Sequence, residues 1–187
     1  SQPKGVLDRI APMDFGDSDG IKMMLYGKSG TGKTTLAGSF PGRLLWIVCS
    51  AGKSPGELRS LNTPENRKRI KQVVLEHSDE IVELAEKAAG DFDGFVLDHV
   101  TGFQDLCLGE IIGKPVPEQK GWGIAQQQDY AQCALQCKEK LRHVLDLPIN
   151  VVFVGQEREN ERREGSELIQ PHVGVATIPS LAGWLNT

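Results

Sequence analysis

The chain has 187 residues, 39% of them hydrophobic and 25% charged, with a formal net charge of -4. That length suits one α/β domain with a substantial core and is short for two. No apolar run approaches the roughly 20 residues of a membrane helix, so no membrane partner is expected, and the acidic balance confines any nucleic-acid contact to a local patch.

Residues 1 to 20, rich in Gly, Asp and Pro, read as an arm ahead of a domain at 21 to 187. They lack both the layout of a secretory signal and an initiator Met, so the sequence is expected to begin within a longer product and to reside in the cytoplasm. IKMMLY (21 to 26), closed by Gly27, reads as a buried strand, and Lys33 to Phe40 suits a helix that ends before Pro41-Gly42. RLLWIVC (43 to 49) is a second buried strand and IKQVVL (70 to 75) a weaker third. ENRKRIKQ (65 to 72) gathers Arg67, Lys68, Arg69 and Lys71, either as a basic patch for nucleic acid or, preferably, as a solvated helix face.

Ser78 suits the cap of a helix with Asp79 and Glu80 in its first turn and its end at Gly90. FVLD (95 to 98) is another buried strand, and Gly113 to Gly123 an exposed loop. A long helix is expected over Ala125 to Leu147, with Tyr130, Ala134, Cys137, Leu141 and Val144 on one face packed against the sheet. NVVFVG (150 to 155) is the last strong strand, QERENERREGSE (156 to 167) a charged excursion, and LIQPHVGVAT (168 to 177) an edge strand or hairpin. The final IPSLAGWLNT is still apolar, as though the chain continues. Alternating strands and helices, with strands apolar throughout, predict a three-layer α/β fold: a mostly parallel sheet with helices on both faces.

Cys49, Cys107, Cys133 and Cys137 form no C-x-x-C pair and read as buried free thiols. Cys133 and Cys137 lie four apart on one helix, but the further ligands of a metal site are missing. Trp46 is expected in the core, Trp122 in loop packing, and Trp184 in the core or a protomer contact.

The segment GKSGTGKT (27 to 34) matches G-x-x-x-x-G-K-[ST] in full, and it stands between a predicted strand and a predicted helix. Gly27, Gly30 and Gly32 let the backbone curl so that the N–H groups of Lys28, Ser29, Thr31 and their neighbours face phosphates, at the positive end of a helix dipole. Lys33 is expected to bridge the β- and γ-phosphates of ATP, with Thr34 placing its hydroxyl on Mg²⁺ and Thr35 completing the loop. A second metal-directed group should be an acid that ends a buried strand, and Asp98 in GFVLDHVT holds that position. Two strands, RLLWIVC and IKQVVL, intervene between Lys33 and Asp98, which favours the RecA-like and AAA-like branch of P-loop folds over the kinase branch.

GKSGTGKTTLAGSFPG, then FVLDHVTGFQDL, a long helix and NVVFVGQEREN resemble the phage-encoded RecA-like, AAA-type ATPases that assist single-strand annealing and recombination. The resemblance covers roughly residues 21 to 185. It implies an ATPase with ATP and Mg²⁺ as cofactors that acts as a homo-oligomer on single-stranded DNA in the cytoplasm of a bacterial host. It also implies that Gln156 senses the γ-phosphate. Arg158, Arg162 and Arg163 then contact DNA phosphates or reach a neighbouring subunit's ATP, although five acids in the same loop fit a solvated loop equally well. RecA-like enzymes place a catalytic Glu just after the second strand, where this chain has CSAGKSPGELRS, so the expected base is Glu57 or, less readily, His99. Two other readings stand beside this one: a nucleotide or small-molecule kinase with an Arg-rich lid, and a nucleotide-gated scaffold that barely hydrolyses ATP.

Overall fold

Runs such as LLWIV and GFVL are apolar at every position, so a sheet containing them must be covered on both faces. The computed structural model describes residues 20–49, 58–113, 125–159 and 169–172, with 157–159 and 169–172 described by their backbone alone. Five strands run parallel: β1 (Lys22–Gly27), β2 (Leu44–Val48), β3 (Ile70–Val74), β4 (Gly94–Asp98) and β5 (Asn150–Glu159). Their spatial order is β1-β5-β4-β2-β3, so β5 lies between β1 and β4. A short β6 (Ile169–His172) pairs antiparallel with the far end of β5.

Every residue of β2 and β4 is buried, and alternate side chains go to opposite faces. Trp46, Val48, Val96, Val152 and Val154 pack against α1 (Lys33–Gly38) and a 3-10 turn at Arg59–Leu61. Leu45, Ile47, Phe95, Leu97, Val151 and Phe153 pack against α3 (Glu80–Asp91), α4 (Val100–Ile111) and α5 (Gln127–Leu145). The expected three-layer α/β architecture is therefore present. A short α2 (Pro64–Arg69), capped by the Thr63 hydroxyl on the N–H of Asn66, leads into β3.

Several local expectations need correction. α1 ends at Gly38 rather than Phe40. Gly38 packs so closely on the Leu61 side chain that a Cβ there would collide with it, and Arg69 takes up the carbonyls at that end. Its guanidinium donates to Phe40 O at 2.7 Å, to Gly42 O at 3.2 Å and also to Gly38 O. Arg69 is thus a clamp on the α1 terminus, and Arg67 donates to Asn62 Oδ1 at 2.7 Å, so half of the sequence's basic cluster is engaged locally.

Asp79, not Ser78, is the N-cap of α3, and no side chain caps that terminus. Ser78 is fully buried and faces α4 and α5 instead: its N–H donates to Glu110 at 2.8 Å, its hydroxyl donates to Glu110, and Lys140 Nζ donates to Ser78 Oγ at 2.5 Å. The buried face of α5 is Cys133, Cys137, Leu141 and Val144, with Cys133 in place of Ala134. That face packs chiefly on α4 and α3 rather than on the sheet. All four cysteines are buried and free, as expected. The Cys133 and Cys137 sulfurs stand 3.9 Å apart. Hydrogen bonds to Cys107 and Cys133, and then burial, push the Cys137 thiol far up from its ordinary range.

β5 does not stop at Gly155. It continues to Glu159 because β1 pairs with it through Gln156 and β6 takes over from Gln156 onward. The sequence there, Gln156, Glu157, Arg158 and Glu159, is polar throughout, so hydropathy alone reads it as loop. Trp122, Trp184, the arm before residue 20, the loop from 114 to 123 and the tail from 173 lie outside the described residues.

Candidate functional site

Parallel strands present their carboxyl ends along one edge of a sheet, where ligands of such folds bind. Here that edge encloses a cavity of about 570 Å³, walled by Ser29 to Thr35 after β1, Asp98 and His99 after β4, Val154 to Gln156 in β5, and Ser60 from the 3-10 turn. Gly30 and Gly32 have φ of 80° and 86°, the left-handed region that side chains other than glycine disfavour. Those two bends fold the loop back, and Thr31 closes it by donating its hydroxyl to Lys28 O at 2.9 Å. Gly32 is the N-cap of α1 and supplies no side-chain acceptor, so no cap competes with an anion for the first N–H groups of that turn.

Lys33 Nζ donates to Gly27 O at 2.8 Å and to Lys28 O at 2.7 Å. An ammonium has three hydrogens. Two brace the loop and the third remains for a ligand, so the cation meets an anion without releasing the loop.

Asp98 ends β4 with 1% of its surface exposed. It is the only carboxylate among the described residues of the cavity wall. A buried carboxylate, the Thr34 hydroxyl and an ammonium on one cavity form a set of hard oxygens plus one cation, and that set fits a magnesium-bound polyphosphate. Among the described residues no group of three or more His, Cys, Asp or Glu is placed to hold a metal alone. A magnesium ion held there by Thr34 and Asp98 would neutralise charge on the phosphate oxygens of a bound nucleotide.

Gln156 sits opposite Gly27 in the β1–β5 register, is exposed, and lines the cavity. His99 lines it too, but the structure removes it as a hydrolytic base. It is the N-cap of α4, and its Nδ1 accepts the N–H of Gly102 at 2.8 Å. That lone pair is committed, and the other nitrogen of a neutral ring carries the proton. The Asp98–His99 peptide is cis.

Glu57, Arg162 and Arg163 lie outside the described residues, and of Arg158 the backbone alone is described, paired with Gln170 in β6. The structure thus brings together Ser29 to Thr35, Asp98 and Gln156, with Gly27 and Lys28 holding the lysine. Sequence reading missed Ser60, which stands on the wall only because the 3-10 turn folds beneath α1. No sequence pattern marks it.

A parallel sheet with a braced glycine-rich loop on its first strand and a buried acid at the end of another is the architecture of a P-loop nucleoside-triphosphatase domain. A family model described as an AAA domain matches residues 19–186, and the chain belongs to that family. AAA domains bind nucleotide and are generally ATPases. Among curated proteins, none matches the chain. No helix among the described residues is long and apolar enough to cross a membrane.

Proposed function

We propose that this AAA domain is a magnesium-dependent ATPase of the RecA-like kind that works as a homo-oligomer on single-stranded DNA, in phage recombination or strand annealing. The observation that carries the nucleotide part is the cavity where the braced Lys33, Thr34, buried Asp98 and Gln156 meet. In this reading the loop N–H groups and Lys33 hold the β- and γ-phosphates, and Thr34 and Asp98 hold the metal. The Gln156 amide senses whether the terminal phosphate is present. Because β5 runs on past Gln156 to Glu159, a change at that amide has a continuous strand along which to reach Arg158. That strand is the physical support for coupling ATP to DNA.

The DNA part rests on the sequence resemblance and on this coupling. The insertion of β2 and β3 before Asp98, with β5 lodged between β1 and β4, weighs against the kinase reading. One observation favours slow turnover. The described cavity wall carries no acid besides Asp98, so the base is Glu57, a group from a neighbouring subunit, or a weakly activated water.

The test is phosphate release from Mg-ATP with and without single-stranded DNA at two salt concentrations. Stimulation by DNA that weakens as salt rises supports the reading. Turnover indifferent to DNA but passed to a small acceptor supports a kinase, and nucleotide binding without turnover in either condition supports a scaffold.

A further inference from the structure

A second cavity lies beside the basic stretch at 65 to 72. It has a volume of about 230 Å³ and sits where the 3-10 turn and α2 meet one face of β2 and β3. Its lining is graded by depth. Trp46 and Leu61, 1% and 9% exposed, form the bottom, whereas the exposed Asn62, Arg67 and Gln72 form the mouth. Trp46 and Gln72 are register partners and β3 is an edge strand, so the mouth opens at the side of the sheet.

Size, hydrogen bonding and charge each restrict the occupant. Sites that enclose a whole small ligand hold roughly 300–1,000 Å³, so this smaller cavity suits a single flat ring whose carrier stays outside. Asn62 Oδ1 accepts from Arg67 Nε at 2.7 Å, and Asn66 Oδ1 accepts from Arg69 Nε at 2.9 Å. With both amide oxygens committed, these two residues offer a ligand their N–H groups. Residues 58 to 72 supply every lining residue except Trp46, and they carry five basic residues against one acid in a chain of net charge -4. Arg69 is spent on the α1 carbonyls, but Arg67 uses only one of its N–H groups on Asn62 among the described residues. An acceptor-rich ring attached to a phosphate meets all three demands, and a nucleobase on its sugar-phosphate backbone is such a group.

Resting on the single-stranded DNA part of the reading above, we propose that this cavity is a base-binding pocket. One unstacked nucleobase of a single strand enters it, with a ring carbonyl on the amides at the mouth and the adjoining phosphate on Arg67. The 3-10 turn ties the pocket to ATP. Ser60 of that turn lines the nucleotide cavity and Leu61 lines this one, and Leu61 also packs on Gly38 at the end of α1. A ring seated on Leu61 therefore bears on the helix that begins with Lys33 and Thr34. Such coupling is reciprocal, so the factor by which Mg-ATP changes affinity for the strand equals the factor by which the strand changes affinity for Mg-ATP.

The test compares a fluorescein-labelled oligothymidylate with an abasic strand of the same length by fluorescence anisotropy, and thymidine monophosphate serves as the free-nucleotide competitor. Thymine is the probe because it carries two carbonyl acceptors. Gln72→Phe fills the mouth from an exposed position, Gln72→Ala removes the amide without adding bulk, and Arg67→Met removes the charge.

The wild type is expected to bind the oligothymidylate about tenfold more tightly than the abasic strand, as for one base contact. Gln72→Phe should abolish that difference while keeping the abasic-strand affinity, the melting temperature and the Mg-ATP affinity without DNA. Gln72→Ala should narrow the difference. Arg67→Met should weaken both strands alike and lower the salt slope by about one. Displacement of the labelled strand by thymidine monophosphate extends the pocket to free nucleotides, and lack of displacement assigns it to the strand. A preference for the base-bearing strand that survives unchanged in both Gln72 variants overturns the proposal and leaves DNA binding standing, as does equal binding of the two strands by the wild type. A wild-type chain that binds neither strand nor the monophosphate overturns the DNA reading as well.

Discussion

Replacing Gly32 with alanine isolates the physical property on which the phosphate loop depends. At φ of 86° an L-residue is strained, and no heavy atom lies within 4 Å of an added Cβ, so steric collision with neighbours contributes nothing. The cost is conformational, about 1–2 kcal/mol for a residue held in the left-handed region. For a chain of this size that corresponds to a fall in Tm of about 2–8 °C. If the loop instead relaxes to negative φ, the strain disappears, but the N–H groups of the α1 turn rotate away from the cavity and Mg-ATP affinity falls.

Gly90 is the matched control. It also has open space around an added Cβ, but it sits inside α3 at ordinary helical φ, so Gly90→Ala should stabilise by about 0.5–1 kcal/mol. Differential scanning calorimetry with and without Mg-ATP reads both variants. A Gly32→Ala chain with wild-type Tm and wild-type nucleotide affinity refutes the claim that this loop is shaped by its glycines to meet phosphate.

Asp98→Asn preserves the shape of the carboxylate that ends β4 and removes its charge. Its ATP affinity in EDTA should match the wild type, while the gain on adding Mg²⁺ shrinks about 10- to 150-fold in calorimetric titration, the range for one charge-assisted contact. Arg69→Met removes the donors on the Gly38, Phe40 and Gly42 carbonyls. It should cost about 1–3 kcal/mol in urea unfolding and weaken nucleotide binding through a loosened α1.

Lys140→Met should cost about 1–2 kcal/mol in the same assay, because Lys140 donates to Ser78 Oγ and pairs with Asp79 at 2.9 Å, a partner largely in solvent. Burial opposes the charged form of Lys140, but the hydrogen bond to Asp79 and nearby negative charge outweigh it, so its pKa is raised above 10.5. A raised folded-state pKa stabilises below the unfolded value. The stability difference between wild type and Lys140→Met should therefore be full below about pH 10.5 and vanish as pH climbs past it.

Much of the fold was legible because β2 is apolar at every position and β4 up to Asp98, and the loop was legible because a spacing of Gly, Lys and Thr has one backbone consequence. What was missed depended on partners distant in sequence. α4 shows little amphipathic pattern because most of its residues are buried, including Val100, Phe103, Gln104 and Cys107, and a helix covered all round has no polar face to reveal its period. Ser78 looked like a cap because its partner Glu110 is 32 positions away. His99 stayed open between base and packing residue because the bond from Gly102 to its Nδ1 is a property of the folded turn. The charged end of β5 read as loop because the pairing with β6, not hydropathy, makes it a strand.

The most direct test is a calorimetric titration of the wild-type chain and Lys33→Ala with Mg-ATP at neutral pH. Saturable binding of one nucleotide per chain, weakened about 30-fold or more in Lys33→Ala, is the expected result for an ammonium that braces the loop and reaches a phosphate. Equal affinities in the two proteins, or no binding by the wild type, would contradict the account.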